Sequence, residues 1–257
     1  MAPEKRLSPD QVPLEVESLV GGFLQGLVVL CTNPAQVVIK SGSKIGLDDG
    51  SDIITLGGDI TIDITASGVN GLDTGSEVAL TWYYIYLIDD GVTPAGLLSA
   101  SPTSPVLPGL YTKKRLVGAV LNDGSSDFVE FHQQDKTVEP ATFAGGSYGG
   151  TPPANTPIII SLALGAPTAI LERTKLYFHV YKQGAFFGGI NPGVIVGASP
   201  TQVNGYIALS FTAADFETWN GYFDLVDDGN GIYVFQQTDL NNNVQLFTRP
   251  TGYTLKI

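Results

Sequence analysis

Carboxylates are the abundant reactive groups of this 257-residue chain, which carries 25 Asp and Glu against 13 Lys and Arg, two His and one Cys. They concentrate in two runs, Asp48-Asp49-Gly50-Ser51-Asp52 and Asp224-Leu225-Val226-Asp227-Asp228-Gly229-Asn230. Oxygen-rich turns hold calcium when ligands recur at alternate positions and a Glu closes the loop. Neither run has that spacing. Asp and Asn are also the residues with which tight turns make local backbone hydrogen bonds, so both runs read as turns. Two acids at a set separation can hydrolyse a glycan, but nothing in the sequence pairs two of them. His132 and His179 each fall at or in a predicted strand with no partner close in sequence, so a catalytic triad would need long-range contacts. Cys31 ends the apolar run Leu27–Leu30 and reads as a small buried hydrophobe, with no second cysteine for an intramolecular disulfide. No GxSxG, HExxH, P-loop or paired CxxC occurs. The expectation is a protein that is not an enzyme and carries no cofactor or metal.

The elements that position these residues are short. Hydrophobic residues make up 43% of the chain and charged ones 15%, while 31 Gly and 16 Pro punctuate runs rich in Val, Ile, Thr and Tyr. That pattern predicts an all-β chain with many turns rather than long helices. The net charge of −12 argues against nucleic acid as a partner, because phosphate binding needs a basic surface. It disfavours anionic membrane surfaces in the same way.

Residues 1–25 read as an extended arm, with early charges and Pro3, Pro9 and Pro13. MAPEKRLSPDQVP has no apolar core of the signal-peptide kind, so synthesis in a cytoplasm without signal-peptide export is expected. A first β-rich domain spans 26–135. Within it, Asp59–Thr65 alternates apolar and polar residues, as a strand with one wet face does. Trp82–Ile88 differs. Trp82, Tyr84, Tyr86 and Ile88 fall on one face, and Tyr83, Ile85 and Leu87 on the other, so neither face is polar. A central strand covered on both sides has this pattern, and so does a strand closed by another chain. Pro94-Ala95-Gly96 reads as a turn, Ser99–Pro108 as a surface loop, Tyr111–Val120 as a strand and Phe128–Phe131 as a last short one. Residues 136–157, rich in Gly and Pro, read as a linker. A distal domain over 158–257 shows short strands with turn signals between them. Together these predict two antiparallel sandwich-like or jelly-roll-like domains behind an arm. The one helix candidate is Ala213–Trp219.

One stretch is more distinctive. Gly71-Leu72-Asp73-Thr74-Gly75-Ser76 leads to Thr81-Trp82-Tyr83. Ser101-Pro102-Thr103-Ser104-Pro105 with Pro108 follows, then Tyr111-Thr112-Lys113 through Arg115-Leu116-Val117-Gly118, and Asp123-Gly124-Ser125. In order and spacing this resembles a module of tailed-bacteriophage virion proteins, described variously as tail fibre, head fibre or capsid-decoration proteins. It covers about a quarter of the chain, and the distal half is similar only in style. The resemblance supplies no catalytic residues. It implies a structural part of a virion, acting as an oligomer, expected as a homotrimer, in contact with other capsid or tail proteins. On this reading Trp82, Tyr84 and Tyr86 form a subunit contact, since obligate interfaces resemble a core cut in half. The alternative function is recognition of a host-surface glycan by aromatics on distal loops, Phe186 and Phe187 or Trp219 and Tyr222.

Overall fold

The computed structural model describes residues 22–141, 148–150, 158–161, 166–183, 193–197, 207–210, 216–226, 232–237 and 244–257. The described residues are nearly all strand or turn in antiparallel sheets, an all-β, sandwich-like architecture. Two compact units are present, Met1–Lys136 with Ile257, and Thr137–Lys256.

The first unit contains β1 (Leu24–Gln25), β2 (Val28–Asn33), β3 (Gln36–Ile39), β4 (Lys44–Gly46), β5 (Ile53–Thr55), β6 (Ile60–Asp63), β7 (Thr81–Asp89), β8 (Pro94–Ser99), β9 (Lys113–Asn122) and β10 (Phe131–Gln134). Within this unit they lie in the orders β10-β2-β3-β6, β8-β7-β9 and β1-β4-β5. The first two layers face one another. Their alternating strands turn Val29, Cys31, Val37, Ile39 and Ile62 inward, together with Tyr83, Ile85 and Leu87 from β7. Two glycines allow the layers to close. A Cβ on Gly96 of β8 would overlap Ile62 Cγ1 and Cδ1 of β6. A Cβ on Gly118 of β9 would stand 2.6 Å from Gln133 Oε1 of β10. In β6 the alternation holds as read. Ile62 is buried, while Asp63 accepts hydrogen bonds from Gln36 Nε2 and from the Thr65 hydroxyl and amide.

The second unit contains β11 (Thr137–Pro140), β12 (Tyr148–Gly150), β13 (Ile158–Ser161), β14 (Leu171–Gln183), β15 (Gly193–Gly197), β16 (Ile207–Ser210), β17 (Phe216–Val226), β18 (Ile232–Gln237) and β19 (Val244–Leu255). Within it one sheet runs β17-β14-β19-β11, with β12 also on β19, and another runs β13-β18-β15-β16.

Several elements differ from the sequence reading. Pro94-Ala95-Gly96 opens a strand rather than a turn, since a proline is tolerated at a strand's first residue. The helix candidate Ala213–Trp219 gives way to β17, whose Phe216–Trp219 pair with Val180–Gln183. Seven residues give a helix little stability of its own, and the ladder to a neighbouring strand prevails. The segment 136–157 contributes two strands that pair with β19, Val138 against Tyr253 and Gly149 against Phe247. Asn243–Thr248 and Tyr253–Ile257 read as separate strands, but β19 runs through Pro250. A register shift between Lys175 and Leu176 accommodates the proline there, where a bulge relaxes the demand for its missing N–H.

Candidate interaction surface

β7 is the middle strand of its sheet, and both of its faces are covered within one chain. Tyr83, Ile85 and Leu87 meet the β10-β2-β3-β6 layer, with the Tyr83 and Phe128 rings 6.5 Å apart. On the other face Tyr84 is 7% and Tyr86 1% exposed. The proline-rich segment 99–112 lies over that face. The Tyr86 hydroxyl donates to Ser101 O at 2.9 Å, and Lys114 Nζ donates to Thr103 O at 2.8 Å. The same ammonium stands 5.8 Å from the Tyr86 ring centroid, a cation–π distance. Ser101 Oγ accepts from Ser104 N at 3.0 Å, and Asp73 Oδ2 accepts from Val106 N at 2.9 Å. Prolines hold such a segment extended without needing ladder partners. Burial disfavours the phenolates, so the Tyr84 hydroxyl titrates above its ordinary value and the Tyr86 hydroxyl well above it.

A second loop is fastened to the inner face of β7. Val78 N donates to the Tyr83 hydroxyl at 2.8 Å, and Asn122 Nδ2 donates to Val78 O at 2.9 Å. Two side chains thereby satisfy both backbone polar groups of one residue, Val78, that no strand reaches. The turn before it is equally constrained, because a Cβ on Gly71 would stand 2.5 Å from Ala66 O.

The described residues of the first unit leave apolar side chains at its turn tips. Val92 is 87% and Leu110 83% exposed, on turns joined by the hydrogen bond from Thr112 N to Asp89 O. Val78 and Leu80 are 57% and 60% exposed on the loop that Tyr83 and Asn122 hold. Leu80 also has φ 55°, the left-handed region that a Cβ disfavours. These tips are fixed in place by turn chemistry. Asp90 Oδ1, for example, accepts from both Val92 N and Thr93 N.

Of the residues singled out for chemistry, Asp48, Asp49 and Cys31 make hydrogen bonds to their own chain. Asp48 Oδ1 accepts from Arg115 Nη1 at 3.2 Å, and Asp49 Oδ1 accepts from Ser51 N and Oγ at 3.0 and 2.6 Å. Partial burial pushes the Asp49 carboxyl up, but the Ser51 bonds and the nearby Lys113 charge outweigh it and hold the group below its ordinary range. Asp224 pairs with Lys175 in the β14–β17 ladder, and Asp227–Asn230 lie outside the described residues. His132 is exposed on β10, while His179 pairs with Asn220 and Phe247 within the distal sheet. Cys31 is buried, its Sγ donates to Asn33 O, and desolvation pushes the thiol up to about 12. Among the described residues no three His, Cys, Asp or Glu gather as a metal site.

The expected subunit contact is revised for two of its three members. Tyr84 and Tyr86 are covered by their own chain and offer almost no surface to another, whereas Trp82 is half-buried at the start of β7. The signal for this was present in the sequence: the proline-rich stretch supplies a cover with no polar ladder of its own. Trp219 and Tyr222 are strand positions in β17, opposite Val180 and Tyr177, and not loop positions. Phe186 and Phe187 lie outside the described residues. No protein-family model matches the chain, and no curated protein matches it either.

Proposed function

We propose that the chain is a structural component of a tailed-bacteriophage virion, a capsid-decoration or head-fibre protein or a tail-associated one. It works as an oligomer, a homotrimer, through protein–protein contacts with itself and with a capsid or tail neighbour, and not through turnover. One observation carries this reading. The residues of the virion-module resemblance include those that set the two loops over β7. Gly71 shapes one, Ser101 and Pro102–Pro105 the other; Tyr83 fastens the first, and Asp73 and Lys114 fasten the second. The product is a stiff platform whose turn tips present Val92 and Leu110 to solvent, side chains suited to burial against a neighbour.

The proposal is tested by sedimentation equilibrium of the purified full-length chain, followed by gold-labelled antibody microscopy of phage particles. A trimer mass and labelling at one location on the particle support it. A monomer at micromolar concentration together with unlabelled particles overturns it. The distal-domain glycan alternative has lost its loop presentation at Trp219 and Tyr222 and would rest on residues 184–190.

A further inference from the structure

Asn-Gly occurs four times in the chain, at Asn70, Asn204, Asn220 and Asn230, and only the first falls in the first unit. In an open chain this dipeptide is prone to lose ammonia. Glycine has no side chain to shield its N–H, and it turns freely enough for that nitrogen to reach the asparagine Cγ. At Asn70 the fold itself demands both residues. Asn70 has φ 59°, in the left-handed region that Asn enters more readily than most residues. Gly71 follows because a Cβ there would stand 2.5 Å from Ala66 O. The backbone geometry therefore brings a chemical liability with it.

The same geometry disarms that liability. Asn70 serves as a strand partner for Gly96 of β8: Asn70 N donates to Gly96 O at 2.8 Å, and Gly96 N donates to Asn70 Oδ1 at 2.8 Å. Asn70 O accepts from Asp63 N of β6 at 3.0 Å, so one residue joins an edge strand of each layer. The attacking nitrogen is held as well, with Gly71 N donating to Gly68 O at 2.9 Å. Asn70 is nonetheless exposed. Water reaches it, so the hydrogen-bonded conformation and not burial withholds the reaction.

We infer that Asn70-Gly71 is a latent modification site, which reacts only when the closure between β6 and β8 opens and whose reaction then prevents reclosing. Gly71 N bonds to Asn70 Cγ, the Cγ–Nδ2 bond breaks, and the amide nitrogen leaves as ammonia with the Gly71 proton. Water opens the resulting succinimide, giving its hydroxyl to the carbonyl carbon and its proton to Gly71 N. Cleavage at the Asn70 backbone carbonyl leaves isoaspartate, and cleavage at Cγ leaves ordinary aspartate. In isoaspartate the main chain runs through Cγ and gains a methylene. The oxygens that took Asp63 N and Gly96 N exchange roles, while Gly71 has no room to shift against Ala66. Ordinary aspartate keeps an acceptor for Gly96 N and leaves the backbone path unchanged. The inference concerns the chain alone and does not depend on the virion reading.

Peptide mapping by mass spectrometry tests it, with the full-length protein aged at mildly alkaline pH beside a synthetic peptide of residues 64–76. Deamidation at Asn70 is expected to be about tenfold or more slower in the native protein than in the peptide, because only the open fraction reacts. Ageing at the urea midpoint supplies open chains. A brief thermolysin pulse then separates folded from open molecules, and isoaspartate at position 70 is expected in the protease-sensitive fraction and depleted from the resistant one. Asn70→Asp is expected to melt within a few degrees of the parent, which assigns the damage to the added methylene rather than to the charge. Deamidation of the native protein at the peptide's rate, equal isoaspartate in the two fractions, or an Asn70→Asp protein that melts far below the parent overturns the inference.

Discussion

The Gln133 amide of β10 donates at 2.7 Å to the carbonyl of Val117, the extra residue of a bulge in β9. The bulge arises because Ile85 pairs with Gly118 while Tyr86 pairs with Leu116, leaving Val117 without an opposite number on β7. A bulged carbonyl inside a sandwich needs a donor. Gln133 supplies it from the facing layer and also donates to Asp135 O at 2.8 Å. Gly118 leaves the space that the amide occupies.

Gln133→Leu therefore leaves two carbonyls short of a donor, and urea denaturation is expected to show a loss of about 2–4 kcal/mol. Gly118→Ala crowds the same amide. In a double-mutant cycle with Gln133→Ala, the two losses are expected to be non-additive, because the alanine fills space that the smaller side chain vacates. Additive losses would refute the link.

Gly96→Ala is expected to destabilise by about 1–3 kcal/mol, since its Cβ meets Ile62 across the layers. Adding Ile62→Ala removes both clashing carbons, so the double variant should lose less than the sum of the two single changes. Thermal melts of the four proteins measure this.

Tyr86→Phe removes the hydroxyl that donates to Ser101 O. The expected cost is about 1 kcal/mol. Hydrogen exchange should quicken first at Ser101–Ser104, where the cover is pinned, and remain slow in β2 and β3. Uniform quickening would show that the segment is not a separate cover.

Burial raises the Cys31 thiol from 9.0 to about 12, and Tyr84, Tyr86 and Tyr253 shift upward for the same reason. A raised folded-state value means that the native chain holds these protons longer than the unfolded chain. The stability tied to Cys31 is whole below about pH 9 and is lost as pH rises towards 12. Denaturation midpoints measured from pH 7 to 11 should be level at first and then fall. Cys31→Ala should make that fall shallower, and a parent curve flat to pH 11 would contradict the assignment.

Trp82 alone of its face keeps accessible surface. Trp82→Ser is expected to weaken self-association while leaving a cooperative melt, whereas Tyr84→Ser should cost about 3–5 kcal/mol of fold stability. Sedimentation and melting of both variants separate the two roles.

Periodicity made some of this legible in the sequence and left the rest hidden. Ile60-Thr61-Ile62-Asp63 declares its inner face by alternation, and β7 declares through its uniform apolarity that both faces are covered. What covers the Tyr84 and Tyr86 face depends on a loop seventeen residues downstream of Tyr84 and beyond, and no local pattern in β7 encodes it. β8 was obscured by Pro94 and Gly96, residues that signal turns yet here serve a strand start and a close layer contact. Val78 and Leu80 look like ordinary apolar residues until Tyr83 and Asn122 hold the backbone N–H and C=O of Val78. The acidic run at Asp48–Asp52 was readable as a turn because its bonds are local, Ser51 onto Asp49 and Ile53 onto Asp52.

The proposed place of this chain in a phage particle is read out by quantitative peptide mass spectrometry of particles purified from the cells that make it. Peptides of this chain are expected in washed particles, at a fixed ratio to the major capsid protein. An abundant chain in the lysate and none on the washed particles would contradict it.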